Sequence, residues 1–79
     1  MDDVLARIQS AFNNAFGTDS SLITIEATPD QIPGWDSLGH AVLTIKLEEE
    51  FGCSFEIDEL MAMENVKEIY NIIKSKSLE

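Results

Sequence analysis

The sequence predicts a small all-α fold, a bundle of three main helices plus one short helix with a long loop between the first two. Three observations support this prediction. Apolar residues recur at three- and four-residue spacing in three segments, which is the period of an amphipathic helix. Glycine follows the first two segments, as it often does at helix C-termini. The 79 residues suffice for one core, so we treat 1–79 as a single domain, with 78–79 a candidate cloning scar.

The first predicted helix runs from about Asp3 to Phe16. Its apolar face consists of Val4, Ile8, Ala11, Phe12, Ala15 and Phe16. Acidic residues lie at its start, where the helix dipole favours negative charge. Gly17 follows the last apolar position and is expected to end the helix.

The connection from residue 18 to residue 35 is predicted to be a long loop. It contains two prolines, a glycine and several Ser, Thr and Asp residues, all of which favour turns. Its segment 22–25, Leu-Ile-Thr-Ile, has the composition of a strand, but no second strand is available to pair with it. We therefore expect a loop that places Ile23 or Ile25 on the bundle.

Three more helical elements follow the loop. Asp36 is the expected N-cap of a second helix that ends near Phe51, with Gly52 after it. A short turn or helix covers 57–63, and Asn65 is expected to cap a last helix that runs to about residue 74. The predicted core comprises Val4, Ile8, Phe12, Leu43, Leu47, Phe51, Val66, Ile69, Ile72 and Ile73.

The second helix carries two apolar faces. On a helical wheel, Leu43, Thr44, Leu47 and Phe51 form the core face. Leu38, Val42 and Ile45 fall nearly opposite, beside Glu49. An exposed apolar strip edged by acids is typical of a partner site, so we expect this strip to face solvent. The alternative is that the long loop covers it.

Charge excludes several function classes. The chain has 15 acids against 5 bases, a net charge of −10, which disfavours binding to nucleic acid or anionic membranes. Its apolar runs are too short to span a membrane, and the acidic N-terminus is unlike a signal peptide. Cys53 is the single cysteine, so no internal disulfide can form. We expect a cytoplasmic protein whose partners have basic patches, although acidic surface alone also promotes solubility.

Ser37 is the candidate functional residue. As the first residue of the second helix, it lies where free backbone N–H groups and the helix dipole favour an anion such as a phosphodiester. A hydrolase serine would need Gly-x-Ser-x-Gly, and Trp35 stands at the first glycine position. His40 could reach Ser37 from one turn away, but we expect it to pack against the loop. No enzyme activity is predicted.

Neither a reactive thiol nor a metal site is predicted. Cys53 has no basic neighbour in the sequence that would lower its pKa, so we expect a packed or semi-exposed thiol. One cysteine and one histidine do not make a zinc site, and no segment has the ligand spacing of an EF-hand.

The motif around Ser37 and several other segments of the chain resemble one protein family. Asp36-Ser37-Leu38 resembles the Asp-Ser-Leu motif of acyl carrier proteins. Leu-Glu-Glu-Glu-Phe-Gly at 47–52 resembles the end of that family's second helix. Phe-Glu-Ile-Asp at 55–58 and Asn-Val at 65–66 resemble its short third helix and the start of its fourth. The resemblance covers nearly the whole chain.

The resemblance implies a carrier that catalyses nothing itself. A phosphopantetheinyl transferase would attach 4′-phosphopantetheine from coenzyme A to Ser37, with Asp36 and Leu38 beside the attachment point. The thiol of this arm would carry acyl groups as thioesters. The second helix would dock on basic patches of acyl-loading and acyl-transfer enzymes through Leu38, Val42, Ile45, Glu48 and Glu49. We expect a monomer.

Several positions depart from the carriers of fatty-acid synthesis. Gly39 stands where those carriers commonly have an acid, Trp35 and His40 also differ, and Lys46 places a base in the docking helix. Trp-Asp-Ser-Leu-Gly-His is more similar to specialised carriers of polyketide, peptide, lipid or cell-envelope pathways. Two alternatives stay open: an aminoacyl or peptidyl carrier, and an unmodified acidic helical module that binds a basic partner.

Overall fold

Four α-helices form the fold in the computed structural model, which describes residues 3–77. They are α1 (Asp3–Phe16), α2 (Ser37–Phe51), α3 (Ile57–Ala62) and α4 (Val66–Ser77). Two single 3-10 turns, Ser20–Leu22 and Pro29–Gln31, lie in the long connection between α1 and α2. No strand occurs between residues 3 and 77, so the prediction of an all-α bundle is confirmed. The features predicted at 1–2 and 78–79 lie outside the described residues.

Side-chain caps fix the starts of α2 and α4. The Asp36 carboxylate accepts a hydrogen bond from the Gly39 amide at 2.8 Å, which defines the first turn of α2. The Asn65 side chain accepts from the Glu68 amide at 2.8 Å at the start of α4. Both caps were predicted, because short polar side chains satisfy the unpaired amides of a first helical turn.

Helices α1 and α2 end as predicted, whereas α4 is longer than predicted. Gly17 and Gly52 both adopt left-handed backbone conformations directly after α1 and α2. Helix α4 continues to Ser77, past the predicted end near residue 74. Lys74 and Lys76 lie in its last turn, where positive charge is favoured by the helix dipole. Within the described residues, no helix is both long and apolar enough to cross a bilayer.

The core lies where α1, α2 and α4 meet, and the long loop closes it. Its buried apolar side chains are Ile8, Ala11, Phe12, Ile23, Ala27, Ile32, Trp35, Leu43, Leu47, Phe55, Met63, Val66, Ile69 and Ile73. The helical part of this set follows the predicted faces. Val4, Phe51 and Ile72 were predicted inside but are only half-buried at the edge of the core.

The loop contributes more to the core than its sequence indicated. Ile23 is fully buried and Ile25 is not, which decides between the two predicted contacts. Ala27 and Ile32 are also buried, and the Ala27 carbonyl accepts from the Val66 amide at 3.2 Å. Trp35 packs edge-on against Phe12, with ring centroids 4.9 Å apart. The segment 22–25 is a loop, as expected, and the loop is anchored at several points along its length.

Two leucines of α2 provide a matched test of the core face. Leu47 is fully buried and Leu38 is 83% exposed, although both belong to the same helix. Leu47→Ala should lower the free energy of unfolding by about 2–5 kcal/mol, because it removes buried methyl groups and leaves a cavity. Leu38→Ala should change it by less than about 0.5 kcal/mol. Urea denaturation followed by circular dichroism measures both, and equal effects would contradict the assignment of the two faces.

Candidate functional site

Ser37 is exposed at the first position of α2. The cap from Asp36 occupies the amide of Gly39, and the His40 amide donates to the Asp36 carbonyl at 2.7 Å. The amides of Ser37 and Leu38 have no acceptor within the helix, as is usual for a first turn. The serine hydroxyl is therefore accessible and lies beside unpaired N–H groups at the positive end of a 15-residue helix.

A cleft opens directly beside this serine. It has a volume of about 340 Å³ and lies between the end of the long loop, the start of α2, and α3. Its lining comprises Pro29, Trp35, Asp36, Ser37, His40, Leu60, Met61 and Met63. The walls are mainly apolar, so a flexible chain attached to the serine would find apolar surface within reach.

His40 lies in the wall of the cleft with both ring nitrogens engaged. Trp35 donates its indole N–H to His40 Nδ1 at 2.9 Å, and His40 Nε2 lies 2.9 Å from the Leu60 carbonyl oxygen. Since an indole nitrogen only donates, Nδ1 accepts, and the ring proton resides on Nε2, which donates to Leu60. The expected packing against the loop is present, and a second contact to α3 was not anticipated. Neither nitrogen is available as a base for Ser37.

Two glycines allow the loop to press against the first turn of α2. A Cβ atom at Gly39 would overlap the Gly34 carbonyl oxygen and would lie 3.1 Å from the Phe16 ring. A Cβ atom at Gly34 would in turn lie 3.2 Å from the same ring. The glycine directly after Asp-Ser-Leu is therefore required by the local packing, which explains why no acid stands at that position.

The outer face of α2, formed by Leu38, Val42, Ile45 and Glu49, is exposed. Its three apolar residues are all among the exposed large hydrophobic side chains of the described chain. The Glu49 side chain is 67% exposed, and its carboxylate lies 3.9 Å from Lys46 Nζ. The long loop does not cover this face, which excludes the alternative in which the strip is buried.

Glu48 differs from the other residues predicted to dock. It is half-buried, and its carboxylate accepts a hydrogen bond from the Phe55 amide at 3.0 Å. This bond holds the segment between α2 and α3 against the helix. The structure therefore gives Glu48 a structural contact and leaves Glu49 as the more exposed of the two acids.

Helix α3 adds exposed apolar surface that the sequence analysis missed. Ile57 and Met61 are both more than two-thirds exposed, and Met61 lines the cleft beside Ser37. With only six residues, Ile57–Ala62 is too short to show a reliable apolar period. The signal available in the sequence was the four-residue spacing of Ile57 and Met61, which places both on the same face of a helix.

Cys53 lies in a separate cleft of about 180 Å³. The expectation that it lacks a basic neighbour is wrong, because Lys76 of α4 lines the same cleft. Burial nevertheless raises the pKa of the thiol, and this effect outweighs the opposing one of the nearby ammonium group. A raised pKa keeps the thiol protonated and poorly nucleophilic, and Cys53 is half-buried, as expected of a packed or semi-exposed thiol.

Comparison with known proteins finds relatives that match the chain over nearly its whole length. An acyl carrier protein of Trieres chinensis is 32% identical over 76 residues, which cover 96% of this chain and 95% of that protein. An acyl carrier protein of Treponema denticola is 30% identical over 76 residues, which cover 96% of this chain and 97% of that protein. No family model matches the chain.

Replacing Gly39, the glycine after Asp-Ser-Leu, by alanine should change the stability of the protein in the opposite direction to most glycine-to-alanine changes in helices. Glycine-to-alanine changes inside helices normally stabilise them by about 0.5–1 kcal/mol. Gly39→Ala should instead destabilise the protein by about 1–3 kcal/mol, because the new methyl group overlaps the loop backbone. Ser37→Ala, which introduces the same residue in the same turn at an exposed position, is the control. Thermal unfolding of both variants decides, and a stabilised Gly39→Ala would contradict the close approach of the loop.

Proposed function

The chain belongs to the acyl carrier protein family, and we propose that it carries acyl groups as thioesters on a 4′-phosphopantetheine arm attached to Ser37 Oγ. One observation supports this proposal above all others. Ser37 is an exposed hydroxyl at the first position of α2, inside the Asp-Ser-Leu motif, and it opens onto a cleft with mainly apolar walls.

The residues around Ser37 fit such an arm. Its phosphodiester would lie next to the unpaired amides of the first helical turn, where a negative charge is stabilised. The mainly apolar cleft offers contact surface for the chain that follows the phosphate. When attached, the arm supplies a terminal thiol, which holds the acyl group as a thioester. Asp36 holds the turn through its bond to the Gly39 amide and so keeps the serine at the helix start.

The contacts of His40 argue against a hydrolase. A catalytic serine needs a base within hydrogen-bonding reach, and His40 is the single histidine of the chain. Its two ring nitrogens are occupied by Trp35 and by the Leu60 carbonyl. We therefore infer that Ser37 is a site of modification and that the protein serves as a substrate of other enzymes.

Partners are proposed to dock on the outer face of α2. Leu38, Val42 and Ile45 supply apolar contact area beside Ser37, and Glu49 supplies exposed negative charge. A partner with a basic patch next to an apolar groove would complement this face. Such partners include the phosphopantetheinyl transferase and the enzymes that load and remove acyl groups.

We further propose a specialised pathway, of polyketide, lipid or cell-envelope type, in preference to the main fatty-acid pathway. The support is the unit formed by Trp35, Gly39 and His40, since these positions depart from the carriers of fatty-acid synthesis. Trp35 is hydrogen-bonded to His40, and Gly39 lies against Gly34, the residue before Trp35, so all three belong to the contact between the loop and the first turn of α2. In that arrangement an acid after Asp-Ser-Leu is excluded sterically.

Modification of Ser37 is tested by intact-mass measurement. Incubated with coenzyme A and a broad-specificity phosphopantetheinyl transferase, the wild-type chain should gain the mass of one phosphopantetheine group. Ser37→Ala should gain none and should remain folded, because the side chain is exposed and makes no core contact. Ser54→Ala, at another exposed serine, should be modified like the wild type. A modified Ser37→Ala would overturn the site, and a wild type that resists several transferases would favour the unmodified acidic module.

The docking face is tested by reversing one charge. Glu49→Lys should lower kcat/KM of the transfer by up to about tenfold at low salt, because exposed charges at the rim of an interface mainly steer encounter. The effect should shrink as salt is raised. Glu26→Lys, an equal change of net charge at an exposed loop position outside this face, should have little effect. Equal slowing by both variants would show that overall charge, and not the outer face of α2, guides docking.

A further inference from the structure

We propose that His40 is a positioning residue for the modification of Ser37, because it fixes α3 beside the serine by joining Trp35 to the Leu60 carbonyl. The inference rests on the proposed function, since it concerns how Ser37 is presented to the transferase. It assigns a role to a residue that makes no contact with the reacting hydroxyl in the structure.

Helix α3 is too short to hold its own position. It has six residues, and none of its side chains is fully buried. Isolated helices of this length are marginal in water, so α3 depends on contacts with the rest of the fold. Two of its apolar residues, Ile57 and Met61, point outward and contribute little to that anchoring.

Two residues of α2 make the described hydrogen bonds that connect this helix to α3 or to the segment just before α3. Glu48 accepts from the Phe55 amide just before the helix, and His40 donates to the Leu60 carbonyl inside it. On the α4 side, Lys76 pairs with Glu59 at 3.1 Å. The pKa of the Glu59 carboxyl is lowered chiefly by the hydrogen bond from the Glu56 amide and further by Lys76. Both partners of that pair are partly solvated, so it anchors α3 weakly. His40 is thus the side chain of α2 that ties the body of α3 to the bundle.

His40 is itself oriented by the core. Its Nδ1 accepts from the indole of Trp35, and the two rings lie nearly parallel, with 17° between their planes. Trp35 is buried and packs edge-on against Phe12 of α1. A continuous series of contacts therefore runs from the core through Trp35 and His40 to the backbone of α3. Each member restricts the orientation of the next one.

The position of α3 decides the shape of the space in front of Ser37. Leu60 and Met61 form one wall of the cleft, and Trp35 and His40 form another. In the proposed transfer, Ser37 Oγ forms a bond to the phosphorus next to the pantetheine of coenzyme A, and the pyrophosphate bond of coenzyme A breaks. Adenosine 3′,5′-bisphosphate leaves, and the serine proton passes to a base of the transferase. The pantetheine part of the donor would pass along these walls and has to fit against them. A displaced α3 would alter that fit without removing any group that reacts.

Two variants of His40 test the proposal through the kinetics of transfer from coenzyme A. His40→Phe keeps a ring of similar size and removes both hydrogen bonds. It should lower kcat by about tenfold, because small displacements in front of a reacting atom are enough to slow its reaction strongly. His40→Gln keeps one donor and one acceptor and should recover part of the loss. Hydrogen exchange of the Leu60 and Met63 amides should be faster in His40→Phe than in the wild type.

A control separates positioning from simple loss of stability. Ile73→Val shortens a buried side chain of α4 that lines the cleft at Cys53 and not the one at Ser37. A partly unfolded carrier lowers the concentration of usable substrate, which raises the apparent KM and leaves kcat unchanged. Ile73→Val, which removes one methyl group and is only mildly destabilising, should keep the wild-type kcat, whereas His40→Phe should reduce kcat.

The outcomes distinguish the two proposals. A folded His40→Phe chain with wild-type kcat would overturn the positioning role while leaving the carrier function intact. If His40→Phe fails to fold, His40→Gln and Trp35→Phe decide by the same measurement, and a wild-type kcat in both would overturn the proposal. A wild-type chain that no transferase modifies would overturn the carrier function, and the positioning role would fall with it.

Discussion

The close approach of the Gly34 carbonyl to Gly39 is the constraint on which the site depends. It brings the end of the long loop against the first turn of α2, where a side chain at residue 39 would not fit. With the loop in this position, Trp35 enters the core and its indole N–H reaches His40. The same approach sets the backbone of Asp36, whose carboxylate caps the helix and leaves Ser37 exposed at its start.

Helix α2 divides its residues among three tasks that follow from their direction around the helix. One face, with Leu43 and Leu47, fills the core, and the opposite face remains exposed and available to partners. Two other residues tie α2 to other segments: His40, on the core side of the first turns, bonds to α3, and Glu48, between the two faces, bonds to the Phe55 amide. For the proposed function this separation matters, because the proposed docking surface can vary without loss of the core.

The sequence predicts those features that are determined locally. The bounds of α1 and α2 and the caps at Asp36 and Asn65 follow from apolar spacing and from the chemistry of helix ends. The outer face of α2 follows from the same spacing. These signals involve residues only a few positions apart, so they can be read without knowledge of the tertiary structure.

Several of the missed features depend on tertiary contacts. His40 meets the Leu60 carbonyl 20 residues later, and this bond has no local signature. Glu48 is indistinguishable in sequence from its acidic neighbours, yet it alone among the described residues accepts from the Phe55 amide. The buried loop residues follow no period, because a loop enters the core wherever its path allows. Trp35 and Gly39 differ from the family pattern and so indicated that the segment around Ser37 is unusual. Their spacing did not predict the contact between the loop and the first turn of α2.

The ring of His40 joins the loop, α2 and α3. Long-range ¹H–¹⁵N correlation spectra of the unmodified protein, recorded with the imidazole neutral, show which ring nitrogen carries the proton and so whether this connection exists in solution. The structure predicts that Nε2 carries the proton and that Nδ1 is an unprotonated acceptor, because the Trp35 indole can only donate. A ring protonated on Nδ1, or the mixture of tautomers found in a free histidine, would contradict the account.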